Sequence, residues 1–524
     1  MTNLWTFFIN YRDEIAKQTI EHLGLTLASL SIAIVIGVVV GIILTRYKQV
    51  ANNVIGIAGM IQTIPSVALL GFMLPVLGIG VTPAIVALFL YALLPIIRNT
   101  FIGIEEVDAS IKEAAKGMGM PSSQILLKVE LPLATPVIFA GIRTAAVTNV
   151  GVATLCALIA SGGLGQFIFR GIALNNTDMI LAGAIPSAGL ALMLDFLLGV
   201  LQKNVTKLIK PILVTSLVLL SSAILWAVTI STPPVFQAGF TSEFMERADG
   251  YPGLREHYDL EFNTRELGPE LMYEALKEKQ VDVISGFSTD GRIKAYDLEV
   301  LEDDKNFFPP YYAAPLVRGE TLRKYPEIRA ALDKLTGQIS DEIMAELNYL
   351  VDEKKQTPSQ VAKEFLQKLG LETSTQRSGA SDIVVGSKNF TEQYILAEML
   401  AVIIENYTNL DVDLKTGLAG TQIAFNALIK GDIDLYPEYT GTGLLTIIQV
   451  DEETRDEIIQ SKDQVFNYVK EESKKRYDVD WLSSFGFNNT YGLMMRREDT
   501  IKFNISSISN LKEYLDNLSN LDDI

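Results

Sequence analysis

Cysteine and histidine are nearly missing from this chain: its 524 residues hold one Cys and two His. A single cysteine, Cys156, excludes an intrachain disulfide and any Cys-based metal site, and its apolar surroundings read as those of a small core hydrophobe. His22 and His257 lie far apart without Cys or His neighbours, which argues against a zinc centre or a Ser-His-Asp triad. No Gly-x-x-x-x-Gly-Lys-[Ser/Thr] loop occurs, and Gly379 to Lys388 only distantly approaches one, so ATP hydrolysis is expected in another subunit. No metal, cofactor or catalytic residue is expected. Basic charge is also scarce, with 44 Lys+Arg against 62 Asp+Glu and a formal net charge of −18. The deficit is confined to one half: through Thr232 there are 13 basic and 10 acidic residues, leaving 31 against 52 beyond it. An acidic half of this kind disfavours nucleic acid and anionic lipid as its partners and also serves solubility.

The first half carries long apolar runs instead. Stretches of the length that crosses a bilayer fall near 24–45, 54–80, 82–97, 134–160, 179–201 and 211–230, giving six expected crossings. Asp13 and Glu14 before the first run, and the further runs after it, argue against a cleavable signal. Arg46 and Lys48, then Arg98, Lys112, Lys116 and Lys128, then Lys203, Lys207 and Lys210 fall on one side if the N-terminus is outside. Arg12, Lys17 and Arg170 depart from that pattern, and Arg143 lies inside a run. The chain after the last run is therefore expected outside the cytoplasm. Pro65, Pro75 and Pro83, with Gly56, Gly71, Gly78 and Gly80, interrupt the second and third runs, as happens at kinks for packing or along a translocation path.

Between the third and fourth runs stands Glu113-Ala114-Ala115, then Gly119 after three residues, then Leu131-Pro132 after eleven more. This resembles the EAA loop of bacterial ABC importer permeases, whose short helix docks on the ATPase subunit. Small Ala residues allow close approach, Gly119 ends the helix and Pro132 starts the next span. The resemblance implies a type I ABC importer permease: a polytopic α-helical membrane domain in a bacterial plasma membrane. Ser161-Gly162-Gly163-Leu164-Gly165 also looks like this family.

Beyond Thr232, short apolar runs such as Val281–Ile284 and Asp382–Val385 alternate with helical stretches such as Ser359–Lys368 and Glu392–Glu405. Such alternation indicates an α/β domain with a largely parallel sheet. Residues 373–381, small and polar, read as a linker. After it, Val385-Gly386-Ser387-Lys388-Asn389-Phe390-Thr391-Glu392-Gln393, Gly420-Thr421-Gln422, Asp434 to Thr442 and Phe487 to Tyr491 resemble the binding proteins of the glycine betaine, carnitine and choline importers. Segments of the later part of that family's domain precede the linker: Gln237 to Phe240, Asp249 to Leu254, Ile284 to Gly291 and Phe307 to Pro315. The resemblance implies a two-lobed, periplasmic-binding-protein-like α/β domain of type II whose halves are circularly permuted. The expected organisation is a permease domain at 1–210, an additional helix and tether at 211–232, lobe two with return helices at 233–372, the linker at 373–381 and a lobe-one segment at 382–524. The new ends are expected at the first hinge crossing. Two incomplete domains are the less favoured reading, because each would leave strands unpaired.

A trimethylammonium head is charged but offers no hydrogen-bond donor, so aromatic faces hold it well, at roughly 0.5–2 kcal/mol per desolvated ring. By resemblance the cage draws on Tyr439, Tyr491, Phe287 and Tyr311, with Phe287 standing where close relatives often carry Tyr. Gln393, Thr421 and Gln422 are the expected donors for the polar end of the ligand, and Asp290 and Glu438 are candidates for added negative potential. The implied function is ATP-driven import of a small quaternary-ammonium solute such as glycine betaine, carnitine or choline. The implied assembly is a homodimer of this chain with two copies of a cognate ABC ATPase. The alternatives are a thiolated histidine betaine such as ergothioneine, a bile-related solute, or a ligand sensor that does not transport.

Overall fold

The computed structural model describes residues 4–203, 236–373, 381–459 and 461–522. The sixth apolar run, 211–230, and most of the linker fall outside them. The chain divides into two compact units, a helical one within the first 234 residues and an α/β one made almost wholly of 235–524.

In the helical unit, four helices of the described residues are long and apolar enough to cross a membrane: Arg12–Arg46, Val81–Glu105, Ser122–Ile159 and Thr177–Lys203. The helices Lys48–Thr63 and Ser66–Leu77 meet at 95° and form a fifth crossing if they are one span. The break sits at Ile64-Pro65, where the ring removes a donor and bars continuation of the helix. Small residues set the closest packing. A Cβ on Gly37 would lie 2.8 Å from Ile96 Cγ2, one on Gly41 2.6 Å from Thr100 Cβ, and one on Gly141 2.5 Å from the carbonyl of Pro95. Backbones approach this way in membrane helices because lipid gives apolar side chains no drive to associate, so contact area must.

Among the described residues the α/β unit contains two five-stranded sheets. The strands are β1 (Gln237–Phe240), β2 (Asn263–Glu266), β3 (Val283–Phe287), β4 (Leu298–Val300), β5 (Ala313–Arg318), β6 (Ile383–Lys388), β7 (Val412–Leu418), β8 (Leu435–Tyr439), β9 (Val479–Trp481) and β10 (Tyr491–Arg496). One sheet runs β2-β1-β3-β10-β4 and the other β7-β6-β8-β5-β9. β1, β2 and β3 are parallel, as are β6, β7 and β8, whereas β10 and β5 enter their sheets antiparallel. Buried runs such as Leu435–Tyr439 suit strands covered on both faces. The helix Pro358–Lys368 starts at a capping box of Thr357 and Gln360, and Thr391–Tyr407 lies where a helix was expected at Glu392–Glu405.

Strands on the two sides of the linker share both sheets, so residues 236–522 make one two-lobed domain rather than two incomplete ones. Lobe one, with β5 to β9, is continuous in sequence from 313 to 481, and lobe two is split. Its β1 to β4 come first, and β10 returns near the end to pair with β3. This differs from the boundaries read in the sequence. The 382–524 segment is not confined to lobe one, and the first and last strands of the domain, β1 and β10, both belong to lobe two. The helices Arg497–Phe503 and Ile508–Asp522 follow β10. The two crossings run side by side, with Tyr312 bridging Asn488 antiparallel and Asn489 N–H donating to Tyr311 O at 3.1 Å.

Candidate functional site

The parallel strands of each lobe end at the cleft, and the aromatic residues cluster there. Phe287 closes β3 and Tyr491 opens β10, and register pairs the two. Tyr439 ends β8 opposite Ala313, while Tyr311 lies on a crossing. Their rings form a continuous row: Tyr311 to Tyr491, 5.6 Å and edge-on; Tyr491 to Phe287, 5.0 Å; Phe287 to Phe390, 5.8 Å and stacked; Phe390 to Tyr439, 6.3 Å and stacked. All four expected cage residues are therefore brought together, and Phe390, unassigned in the sequence, is the link between the lobes.

The expected polar donors are placed differently. Gln393 is buried and fully engaged inside lobe one: its amide donates to Pro437 O at 2.8 Å and Tyr439 Oη at 3.2 Å, and its carbonyl accepts from Lys388 N–H at 3.1 Å. It orients the Tyr439 ring. Gln422 turns away to Thr446 O at 3.2 Å. Thr421 reaches the lobe interface, its N–H donating to Glu243 at 2.9 Å and its hydroxyl accepting from Lys388 Nζ at 3.1 Å. Neither Asp290 nor Glu438 stands as an unpaired charge. Asp290 accepts two guanidinium bonds from Arg292, at 2.9 and 2.7 Å, and Glu438 pairs with Lys388 at 2.6 Å.

Two buried cations border the row and escaped the sequence reading. Lys388 Nζ lies 5.2 Å from the Tyr439 ring centroid, and the Arg247 guanidinium 5.7 Å from that of Tyr491. Arg247 is paired with Asp249, which also accepts from the Tyr311 hydroxyl. Burial works against the charge of Arg247, and the Asp249 carboxylate outweighs it, holding the guanidinium well above its ordinary value. Glu392 was also passed over. Its carboxylate is 2% exposed and accepts from Tyr439 Oη at 2.6 Å, Thr289 Oγ1 at 2.6 Å, Asn489 Nδ2 at 2.8 Å and Asn348 Nδ2 at 3.2 Å. Burial pushes this carboxyl above the ordinary 4.5, and the four bonds pull it down. Only its place at the start of a helix was legible in the sequence.

In the helical unit, Glu113, Ala114 and Ala115 lie on the short helix Ala109–Gly117, capped by Asp108, which accepts from Ser110 N–H at 2.8 Å. Ala115 faces inward at 1% exposure, while Ile111, Ala114 and Met118 are exposed at helical spacing on one face. Gly119 has φ +80°, where a side chain is strained, and Pro132 lies in the first turn of Leu131–Cys156. Beneath this helix Glu130 is buried, 3.2 Å from Arg46 Nη2 and 3.9 Å from Lys112 Nζ.

A multi-span helical unit with such a loop, joined to a two-lobed cleft, defines the class: a permease fused to a substrate-binding domain. The description "Binding-protein-dependent transport system inner membrane component" matches residues 33–211, and "Substrate binding domain of ABC-type glycine betaine transport system" matches 230–368 and 381–522. The chain belongs to both families. Among its relatives are the carnitine transport permease protein OpuCB of Listeria monocytogenes and the choline transport system permease protein OpuBB of Bacillus subtilis. The first is 48% identical over 206 residues, 39% of this chain and 94% of that protein. The second is 45% identical over 193 residues, 37% of this chain and 89% of that protein. The ergothioneine transport permease/ergothioneine binding protein EgtU of Helicobacter pylori is 27% identical over 484 residues, covering 65% of this chain and 88% of that protein. The chain is thus a bacterial membrane subunit of a betaine-type ABC importer with an extracytoplasmic binding domain, and ATP is hydrolysed by a separate partner.

Proposed function

We propose that the chain captures and imports a zwitterionic trimethylammonium solute, glycine betaine or carnitine ahead of choline. The observation that carries this is the row of five rings across both lobes with buried Lys388 and Arg247 beside it. The rings suit a desolvated cation. An ammonium has three donors, of which Lys388 spends two on Glu438 and Thr421, leaving one for a ligand carboxylate. Choline offers no carboxylate to meet it. The second reading, ergothioneine, is favoured by the relative that aligns across both halves. Calorimetry on the full chain in lipid nanodiscs with glycine betaine, carnitine, choline and ergothioneine separates these. Micromolar binding of a betaine supports the first, ergothioneine alone supports the second, and millimolar or absent binding of all four sinks both.

The working assembly contains two copies of this chain and two ATPases, because one Glu113 loop serves one ATPase; native mass spectrometry of the purified complex counts them. The binding domain is circularly permuted relative to its family. Supporting this, the EgtU alignment takes in 88% of that protein but 65% of this chain.

A further inference from the structure

The Glu392 cluster joins parts that the sequence keeps far apart. Tyr439 belongs to the cage in lobe one, Asn348 to the helix Asp341–Asp352 of lobe one, Asn489 to a crossing, and Thr289 to lobe two, just after β3. All four side chains donate to the carboxylate, Tyr439 and Asn489 to one oxygen, Thr289 and Asn348 to the other. Asn348 also donates to Thr289 O at 2.9 Å, so Thr289 is gripped from lobe one at both its hydroxyl and its carbonyl. Four converging donors call for an acceptor-only group with two oxygens, which among side chains is an ionised carboxylate. A buried network whose acceptor is fully used fixes its members in one arrangement.

We infer that Glu392 is the latch between the lobes: one oxygen sets the cage ring of Tyr439, the other holds Thr289 of lobe two, so ordering the cage and closing the cleft become one step. Glu392 is a positioning residue, acting on ligand through Tyr439. The ligand in this account rests on the trimethylammonium reading above, but the closure does not.

The test uses the full chain in nanodiscs with one spin label per lobe, at Lys368 in lobe one and Arg255 in lobe two, both exposed, with the native Cys156 fully buried. Without ligand, Glu392→Gln and Thr289→Val shift the interlobe distances toward open relative to wild type. Gln turns a donor toward the cluster in place of one oxygen, and Val keeps the shape of Thr289 without its hydroxyl. With glycine betaine, Thr289→Val weakens binding by about tenfold or more, the scale of a lost hydrogen bond to a charged group. Tyr439→Phe, which keeps the ring face, also weakens binding, and the double variant loses less than the product of the two, because both act through one carboxylate. Unchanged distances in both Glu392→Gln and Thr289→Val overturn the latch, as do strictly multiplicative losses. If wild type binds no trimethylammonium compound, the ligand reading falls, and the ligand-free distances still decide the latch.

Discussion

Phe390 is the ring whose loss tests the cage most sharply. It lies 5.8 Å from Phe287 of lobe two and 6.3 Å from Tyr439 of lobe one, stacked with both. Each such pair contributes about 0.5–1.5 kcal/mol beyond its buried area. As one ring of the proposed cage it offers the cation a further gain of roughly 0.5–2 kcal/mol when desolvated. The Phe390→Ala variant therefore loses about 1.5–5 kcal/mol of closed, liganded state, toward the lower end because the two ring pairs share one side chain. The full range corresponds to a loss of affinity of roughly tenfold to several thousandfold. Phe390→Leu separates the causes, since it keeps much of the apolar volume and removes the π face. Calorimetry of the full chain is run with glycine betaine and with its neutral-headed carbon isostere, which carries a tert-butyl group instead of trimethylammonium. Wild type prefers the cation, Phe390→Leu loses most of that preference, and Phe390→Ala weakens both ligands. Equal affinity of wild type and Phe390→Leu for the cation would refute the argument, because the row would then be packing alone.

Other expectations concern separate parts of the chain. Glu130→Ala strips Arg46 and Lys112 of the carboxylate they share beneath the Ala109–Gly117 helix; reconstituted uptake falls several-fold while ligand affinity stays at the wild-type value, because the ion pairs that seat this helix on the span are lost, each worth up to about 1 kcal/mol with a partly exposed cation. Gly141→Leu puts a side chain where even a Cβ would lie 2.5 Å from Pro95 O and 2.7 Å from Asn99 Cβ, so the yield of folded protein in detergent drops sharply, whereas Gly59→Leu, with nothing within 4 Å, is tolerated. Asp478 is held well below its ordinary 3.8 by hydrogen bonds from Arg323 and Lys474. A carboxyl depressed in the folded state stabilises the fold above its unfolded value and loses that contribution as pH falls through the folded one. The gap in thermal stability between wild type and Asp478→Asn should therefore be constant near neutrality and narrow in acid below about pH 4.

The row of rings was legible because aromatic residues stand out in short motifs rich in Gly, Pro and Asn. What escaped notice depended on partners far along the chain. Phe390 and Glu392 sit in a string that reads as the start of a helix, and nothing local announces that Thr289, 103 positions away, completes the Glu392 site. Gln393 and Gln422 illustrate the converse. An amide drawn inside a fold finds a partner wherever it lies, and here the carbonyls of Pro437 and Thr446 accept from the buried Gln393 and the half-buried Gln422. Likewise Asp290 meets its Arg292 partner two positions on, a local neutralisation that composition does not reveal. The lobe boundary was misplaced because β10 looks like any strand, and only its pairing with β3, Ile284 opposite Met494, assigns it to lobe two.

The split of lobe two has a consequence for synthesis. Lobe one is contiguous and can complete its sheet as soon as Trp481 has emerged, whereas β3 must wait for β10 some two hundred residues later. At about 5–20 residues per second, the first strands of lobe two stand for roughly 10–40 seconds with an open edge. In this order of segments the lobe made first is finished last, and that half-built sheet is the stage at which the nascent chain is most exposed to mispairing.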